Sequence, residues 1–189
     1  MSYAEESLRK SIRVKERFLA DGGAGLLEQM AERVIAALKA GRRMYLCGNG
    51  GSAADAQHVA GELVGRFLME RAPLPCVALT TDTSVLTCLA NDYSFEDIFE
   101  RQVNALVSEG DILVAISTSG NSANVLKAVA AAKARGATVL GLSGRGGGTL
   151  AQEADLCLIA PADDSPAIQE LHIACLHILC ALVERGCFG

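Results

Sequence analysis

Three histidines, one glutamate and two Ser/Gly-rich stretches carry most of the chemistry open to this 189-residue chain. His58 and Glu62 stand four apart in a helical stretch and so share a face. Gln169 and His177 stand eight apart in the last apolar helix. That spacing puts them about 80° apart around the axis and about 12 Å apart along it, so both can flank one cleft at different depths. Two histidines and a glutamate make a divalent-metal set, with glutamine as an unusual oxygen ligand. The same groups suit proton transfer near neutral pH. His172 reads as a structural histidine, because nothing besides its closeness to Gln169 speaks for a role. Glu62, set among Gly61, Leu63 and Val64, reads as a partly buried carboxylate, and Glu153 and Glu170 as solvated charges.

The two Ser/Gly stretches are CGNGGSAAD, residues 47–55, and ISTSGNSAN, residues 116–124. Each follows a strand-like run, opens a helical one, and contains G-x-S-A, at 50–53 and at 120–123. Glycine turns let backbone approach an anion, and helix N-termini offer unpaired N–H groups. Ser117, Thr118, Ser119 and Ser122 add hydroxyl donors, more than capping one helix needs. There is no G-K-[ST], which excludes a Walker-type nucleotide loop. Gly48-x-Gly50-x-x-Ala53 fits the dinucleotide fingerprint, but Asp82 comes 34 residues after Gly48. The acid of that motif stands about 20 residues on, and the second loop has no role in it. No nucleotide cofactor is expected.

The elements that must position these groups alternate. Helical spacing covers 3–19 and 26–40, with a Gly-rich break at 21–25. Strand-sized runs follow at 44–47, 76–79, 111–116, 138–142 and 156–159. Helical stretches lie at 52–69, 83–90, 95–107, 122–134 and 165–184. Five strands with helical crossovers predict an α/β fold, a three-layer αβα sandwich around a five-stranded parallel sheet. Ligands of such sheets sit at the carboxyl ends of the strands, where both loops emerge. Residues 1–40 read as an N-terminal helical pair and 41–189 as the α/β domain.

Composition narrows the class. Half the residues are hydrophobic and 21% charged, which excludes a disordered chain. A net charge of −5 without a basic tail speaks against nucleic acid. Unbroken apolar runs are strand-sized, so no membrane span is expected. The acidic start MSYAEESLRK lacks the apolar core of a secretory signal. Seven cysteines, an odd number with no CxxC, read as buried thiols of a reducing cytoplasm.

Four blocks carry a resemblance that spans nearly the whole chain. They are GNGGSAADAQHVAGEL (48–63), LANDYSFEDIFERQV (89–103), AISTSGNSANVLKA (115–128) and IQELHIACLHIL (168–179). They resemble the sugar isomerase (SIS) domain and, within it, the phosphoheptose isomerase family. The resemblance implies a flavodoxin-like SIS fold. It implies aldose–ketose isomerisation of sedoheptulose 7-phosphate to D-glycero-D-manno-heptose 7-phosphate through a cis-enediol, the first step toward ADP-heptose and the lipopolysaccharide core. It implies Glu62 and His177 as the catalytic pair, and one zinc per subunit on His58, Glu62, Gln169 and His177. Implied substrate contacts are Asn49, Gly50, Gly51, Ser52, Glu62, Asn91 and Asp92 on the first side of the chain. Ser117, Thr118, Ser119, Ser122 and Gln169 complete them. A cytoplasmic homotetramer built with the N-terminal helices is implied, with no nucleic-acid or membrane partner.

The competing reading is a non-catalytic SIS protein that binds the replication initiator DnaA. Those proteins lack the glutamate and the late histidine, whereas this chain has Glu62, His177 and an intact STSGNS. A sugar-phosphate-sensing regulator would carry a DNA-binding segment, and the first 40 residues hold no basic recognition helix.

Overall fold

Short aliphatic runs become strands here because both of their faces are covered. In the computed structural model, which describes residues 1–189, five strands form one parallel sheet. They are β1 (Met44–Gly48), β2 (Cys76–Ala78), β3 (Ile112–Ser117), β4 (Thr138–Ser143) and β5 (Leu156–Ile159). Every residue of β1 and β3 is buried, as continuous apolar strands of a doubly covered sheet require. The helices are α1 (Tyr3–Ala20), α2 (Gly23–Lys39), α3 (Gly51–Val64), α4 (Thr83–Asp92) and α5 (Glu100–Leu106). They continue with α6 (Ala123–Ala134), α7 (Gly148–Glu153) and α8 (Ser165–Phe188). One core lies between the sheet and α1, α2, α3 and α8, and includes Leu46, Val114, Met30, Val59 and Leu176. The other lies under α5, α6 and α7 and includes Leu113, Ala115, Val103, Val129 and Leu150. This is the expected three-layer αβα sandwich.

The strand order is β2-β1-β3-β4-β5. The winding reverses between β1 and β3, and a crevice opens at the carboxyl ends of strands at such a point. β1 and β3 pair directly, with Gly48 opposite Ile116. The two Ser/Gly loops therefore leave the sheet side by side.

Several boundaries differ from the sequence reading, each for a local reason. The helix expected to reach residue 69 ends at Val64, with Gly65 as its C-cap. Residues 65–75 cross the surface as an irregular strap, although Phe67, Leu68 and Met69 prolong the apolar pattern. The 95–107 helix is divided into a 3₁₀ turn, Phe95–Asp97, and α5. Ser94 causes the division, bonding the Glu96 N–H and the Asp97 carboxylate in place of helix propagation. The α1–α2 break shrinks to Asp21 and Gly22, because the Phe18 ring lies over Gly23, where a Cβ would come within 2.3 Å of it. α7 was not anticipated, being a six-residue helix too short to show a period.

α8 is, by length and composition, apolar enough to cross a membrane, a property that unbroken runs did not reveal. Its apolar side chains Ile168, Leu171, Leu176, Leu179 and Val183 are buried in the core. The cysteines are all unpaired. Cys47, Cys76, Cys175 and Cys180 are buried, whereas Cys88 is exposed, against expectation. It lies on α4, which buries none of its residues.

Candidate active site

The second loop gathers three hydroxyls at the start of α6. The Ser117 and Ser122 hydroxyls lie 2.9 Å apart, and Ser119 joins Ser117 at 3.4 Å. Ser119 also accepts the Asn121 N–H. Ser122 occupies the N-cap of α6 but makes no capping bond, because its side chain turns to Ser117. The Ala123 and Asn124 N–H groups in the first turn of α6 stay open to a ligand, with the positive end of the helix dipole behind them, while the Val125 N–H is taken by the Asn124 side chain. Gly120 has φ +67°, and a Cβ there would lie 1.9 Å from the Gly147 carbonyl oxygen. Only glycine lets this loop pack on the turn after β4.

The first loop opens α3 in the same way, with Gly50 at the cap and no side-chain bond. Gln169 reaches it from α8, and a Cβ on Gly51 would fall 2.5 Å from the Gln169 amide nitrogen. The loops are tied together by Asn49 and Asn124, whose amides exchange two hydrogen bonds of 2.9 Å.

Two turns along α3, His58 and Glu62 meet His177 of α8. The Nε2 atoms of His58 and His177 are 2.8 Å apart, and Glu62 Oε1 is 3.2 Å from His58 Nε2. The His58 side chain is 46% exposed and that of Glu62 24%, so the cluster opens to solvent while Glu62 is half-buried, as expected. One ligand atom from each of the three residues lies within 4.8 Å of the others. Two imidazole nitrogens and a carboxylate oxygen converge on one point, each able to offer an electron pair, and a divalent metal suits that set. The residues therefore fit such an ion. Asp55, one turn earlier on α3, has a buried oxygen without a partner. Burial raises its pKa, and His58 and His177 oppose the shift. Phe67, from the strap after α3, stacks on the His177 ring at 5.6 Å.

Asn91 and Asp92 end α4 and are exposed. Asn91 donates to Asp92 and Cys88 donates to it as well, with the Asn91 bond the first cause of a lowered Asp92 pKa. These two are bonded to each other and not to the loops. A hollow of about 180 Å³ beside the first loop is lined by Gly48, Asn49, Gly50, Phe95 and Phe99. Two larger hollows, about 560 and 600 Å³, lie away from this cluster, by the α1–α2 turn and along β2. His172 is fully buried, and its ring bonds the Ser143 carbonyl at 2.9 Å. Burial pushes its pKa down to about 4, against the Ser143 bond, so the ring is neutral and pins α8 to the end of β4.

The SIS domain family model matches residues 8–144. The phosphoheptose isomerase of Rhodospirillum rubrum is 58% identical over 161 residues, 85% of this chain and 86% of that one. The chain belongs to the SIS domain family, among the phosphoheptose isomerases. Phosphoheptose isomerase GmhA from Neisseria gonorrhoeae superposes with a TM-score of 0.91 at 43% identity, covering 96% of this chain and 97% of that one. The phosphoheptose isomerase from Francisella tularensis gives 0.92 at 37% identity, covering 98% and 100%. Relatives bearing the isomerase name at this similarity lend no support to the DnaA-binding alternative.

Within this SIS chain, the fold gathers His58, Glu62 and His177 into one cluster and Ser117, Ser119 and Ser122 into another. Gln169 packs on Gly51 of the first loop, while His177, eight residues further along α8, meets His58 and Glu62. Asn124, Asp55 and Phe67 were missed. An asparagine in an Ala/Val-rich helix start, and an aspartate three residues before His58, were the available signals for the first two.

Proposed function

We propose that this chain isomerises sedoheptulose 7-phosphate to D-glycero-D-manno-heptose 7-phosphate. The observation that carries this is the meeting of Glu62 and His177, from different helices, with α3, which bears Glu62, opening from one of two Ser/Gly loops that leave the sheet side by side after β1 and β3. Ser117, Thr118, Ser119 and Ser122, with the first turn of α6, hold the phosphate. Asn49, Gly50, Gly51, Ser52 and Gln169 contact the sugar, and Asn91 and Asp92 complete its contacts. The reaction moves one proton from carbon 1 to carbon 2 and one from the carbon-1 oxygen to the carbon-2 oxygen. A cis-enediol lies between. The Glu62 carboxylate and the His177 imidazole share these transfers as base and acid.

His58, Glu62, Gln169 and His177 would hold one zinc ion per subunit, which when bound polarises the substrate oxygens. The subunits form a cytoplasmic homotetramer through residues 1–40, with 41–189 as the phosphosugar-binding unit. Exposed Leu8, Ile12 and Leu19 on α1 support the assembly, and seven unpaired cysteines support the compartment. The product is then the first intermediate toward ADP-heptose and the lipopolysaccharide core.

The test is turnover of sedoheptulose 7-phosphate by the purified chain, with the product identified by NMR. Each sample is run with added zinc and after chelation. The aldose should accumulate to equilibrium, stop after chelation and return with zinc. Absence of aldose in every sample overturns the isomerase reading, and full activity after chelation overturns the need for the metal.

A further inference from the structure

The strap of residues 65–75 joins the two helices that carry the converging groups. The Glu184 carboxylate, on α8, accepts the backbone N–H groups of Phe67, Leu68 and Met69 at 2.9, 2.8 and 3.2 Å. It also accepts Nε of Arg71 at 2.8 Å. Arg71 in turn donates to the carbonyls of Glu62 and Leu63, at 2.8 and 2.7 Å, closing the last turn of α3. Both side chains of this ion pair are 1% exposed. Burial pushes the Glu184 carboxyl up, and the Leu68 and Phe67 N–H groups with Arg71 outweigh it, leaving the group ionised and below its ordinary value.

A buried ion pair is a poor general stabiliser, since apolar residues of similar volume often serve as well. Its effect here is local. It fixes the end of α3, which bears His58 and Glu62, to α8 seven residues beyond His177. The strap ordered by this pair presents Phe67. That ring lies nearly parallel to the His177 imidazole, 14° between planes at 5.6 Å, while His58 meets the imidazole edge-on at 4.9 Å. The imidazole is held between a flat apolar face and its histidine partner.

We propose that Phe67, held in place by the Glu184–Arg71 pair, is a positioning residue that sets the orientation of the His177 imidazole. Its catalytic meaning rests on the isomerase reading, but its geometric content does not. Phe67 has no polar atom, so it acts through His177 rather than on the substrate. A flat ring should do this and a branched aliphatic side chain should not.

Variants of Arg71 or Glu184 risk misfolding, so the test uses Phe67→Leu and Phe67→Tyr in the full chain. Crystal structures of both, beside wild type, are compared with kcat and KM. In F67L the His177 ring should rotate and its Nε2 leave hydrogen-bonding distance of His58. kcat should fall about tenfold with KM within twofold. F67Y should keep the wild-type ring position and kcat within twofold. An unmoved imidazole in F67L, or a displacement in F67Y equal to that in F67L, overturns the proposal. Wild type that fails to turn over sedoheptulose 7-phosphate defeats the isomerase reading separately, and the ring positions still decide the role of Phe67.

Discussion

His172 and His177 lie five residues apart on α8 and meet opposite fates. His172 is sealed in the core with a pKa near 4, whereas an unfolded histidine titrates near 6.5. Between those values the unfolded chain binds a proton that the folded chain refuses. The stabilisation is therefore complete above about pH 6.5 and is lost as pH falls toward 4. His172→Gln removes this titration. Denaturant unfolding at pH 7 and 4.5 should show wild type losing about 2–3 kcal/mol more than the variant over that interval. Equal losses would place the acid sensitivity elsewhere. The His58–Glu62 pairing was legible because four residues is one helical turn. Asn124 was not, because its meaning lies in Asn49, 75 residues away in sequence. A buried amide declares itself only when its partner is in view.

At the scale of elements, the loops were read correctly from Gly, Ser and Thr, yet their mutual packing was not. Gly120 shows the difference. Its φ of +67° and its contact with the Gly147 carbonyl leave no room for a Cβ. Gly120→Ala should destabilise the fold by about 1–3 kcal/mol and raise KM at least tenfold, as thermal unfolding and steady-state kinetics would register. An unchanged KM would detach this loop from phosphate binding. The end of α3 was misplaced for a similar reason. Phe67, Leu68 and Met69 extend the apolar pattern, and Gly65 was the sole local stop signal. The group that holds their N–H atoms, Glu184, is more than a hundred residues further on. α4 was found by its pattern, but its lack of buried residues, and so the exposure of Cys88, is a matter of tertiary placement that the pattern does not carry.

Over the whole molecule, alternation of strands and helices was enough to give a parallel five-stranded sheet. It did not give the order β2-β1-β3-β4-β5, which depends on which edge each crossover chooses. That order is what brings the two loops together. The molecule also presents an apolar stripe on α1, where Leu8, Ile12 and Leu19 are 68%, 55% and 62% exposed. A groove of about 290 Å³ between α1, α2 and α8 continues it, lined by Leu27, Leu171 and Ile178. Leu8→Glu combined with Ile12→Glu should lower the mass seen by light scattering below that of the proposed tetramer, with the helical spectrum retained. A tetramer that survives both charges would move the interface elsewhere. Proton transfer on a bound ketose phosphate is assigned to Glu62 and His177 as a proposal. It is tested most directly by kcat for sedoheptulose 7-phosphate in Glu62→Gln and His177→Ala, with substrate affinity measured by calorimetry on the same proteins. kcat should fall by about 10²- to 10⁴-fold in each, with affinity within a few-fold of wild type. Either variant turning over at close to the wild-type rate would contradict the proposal.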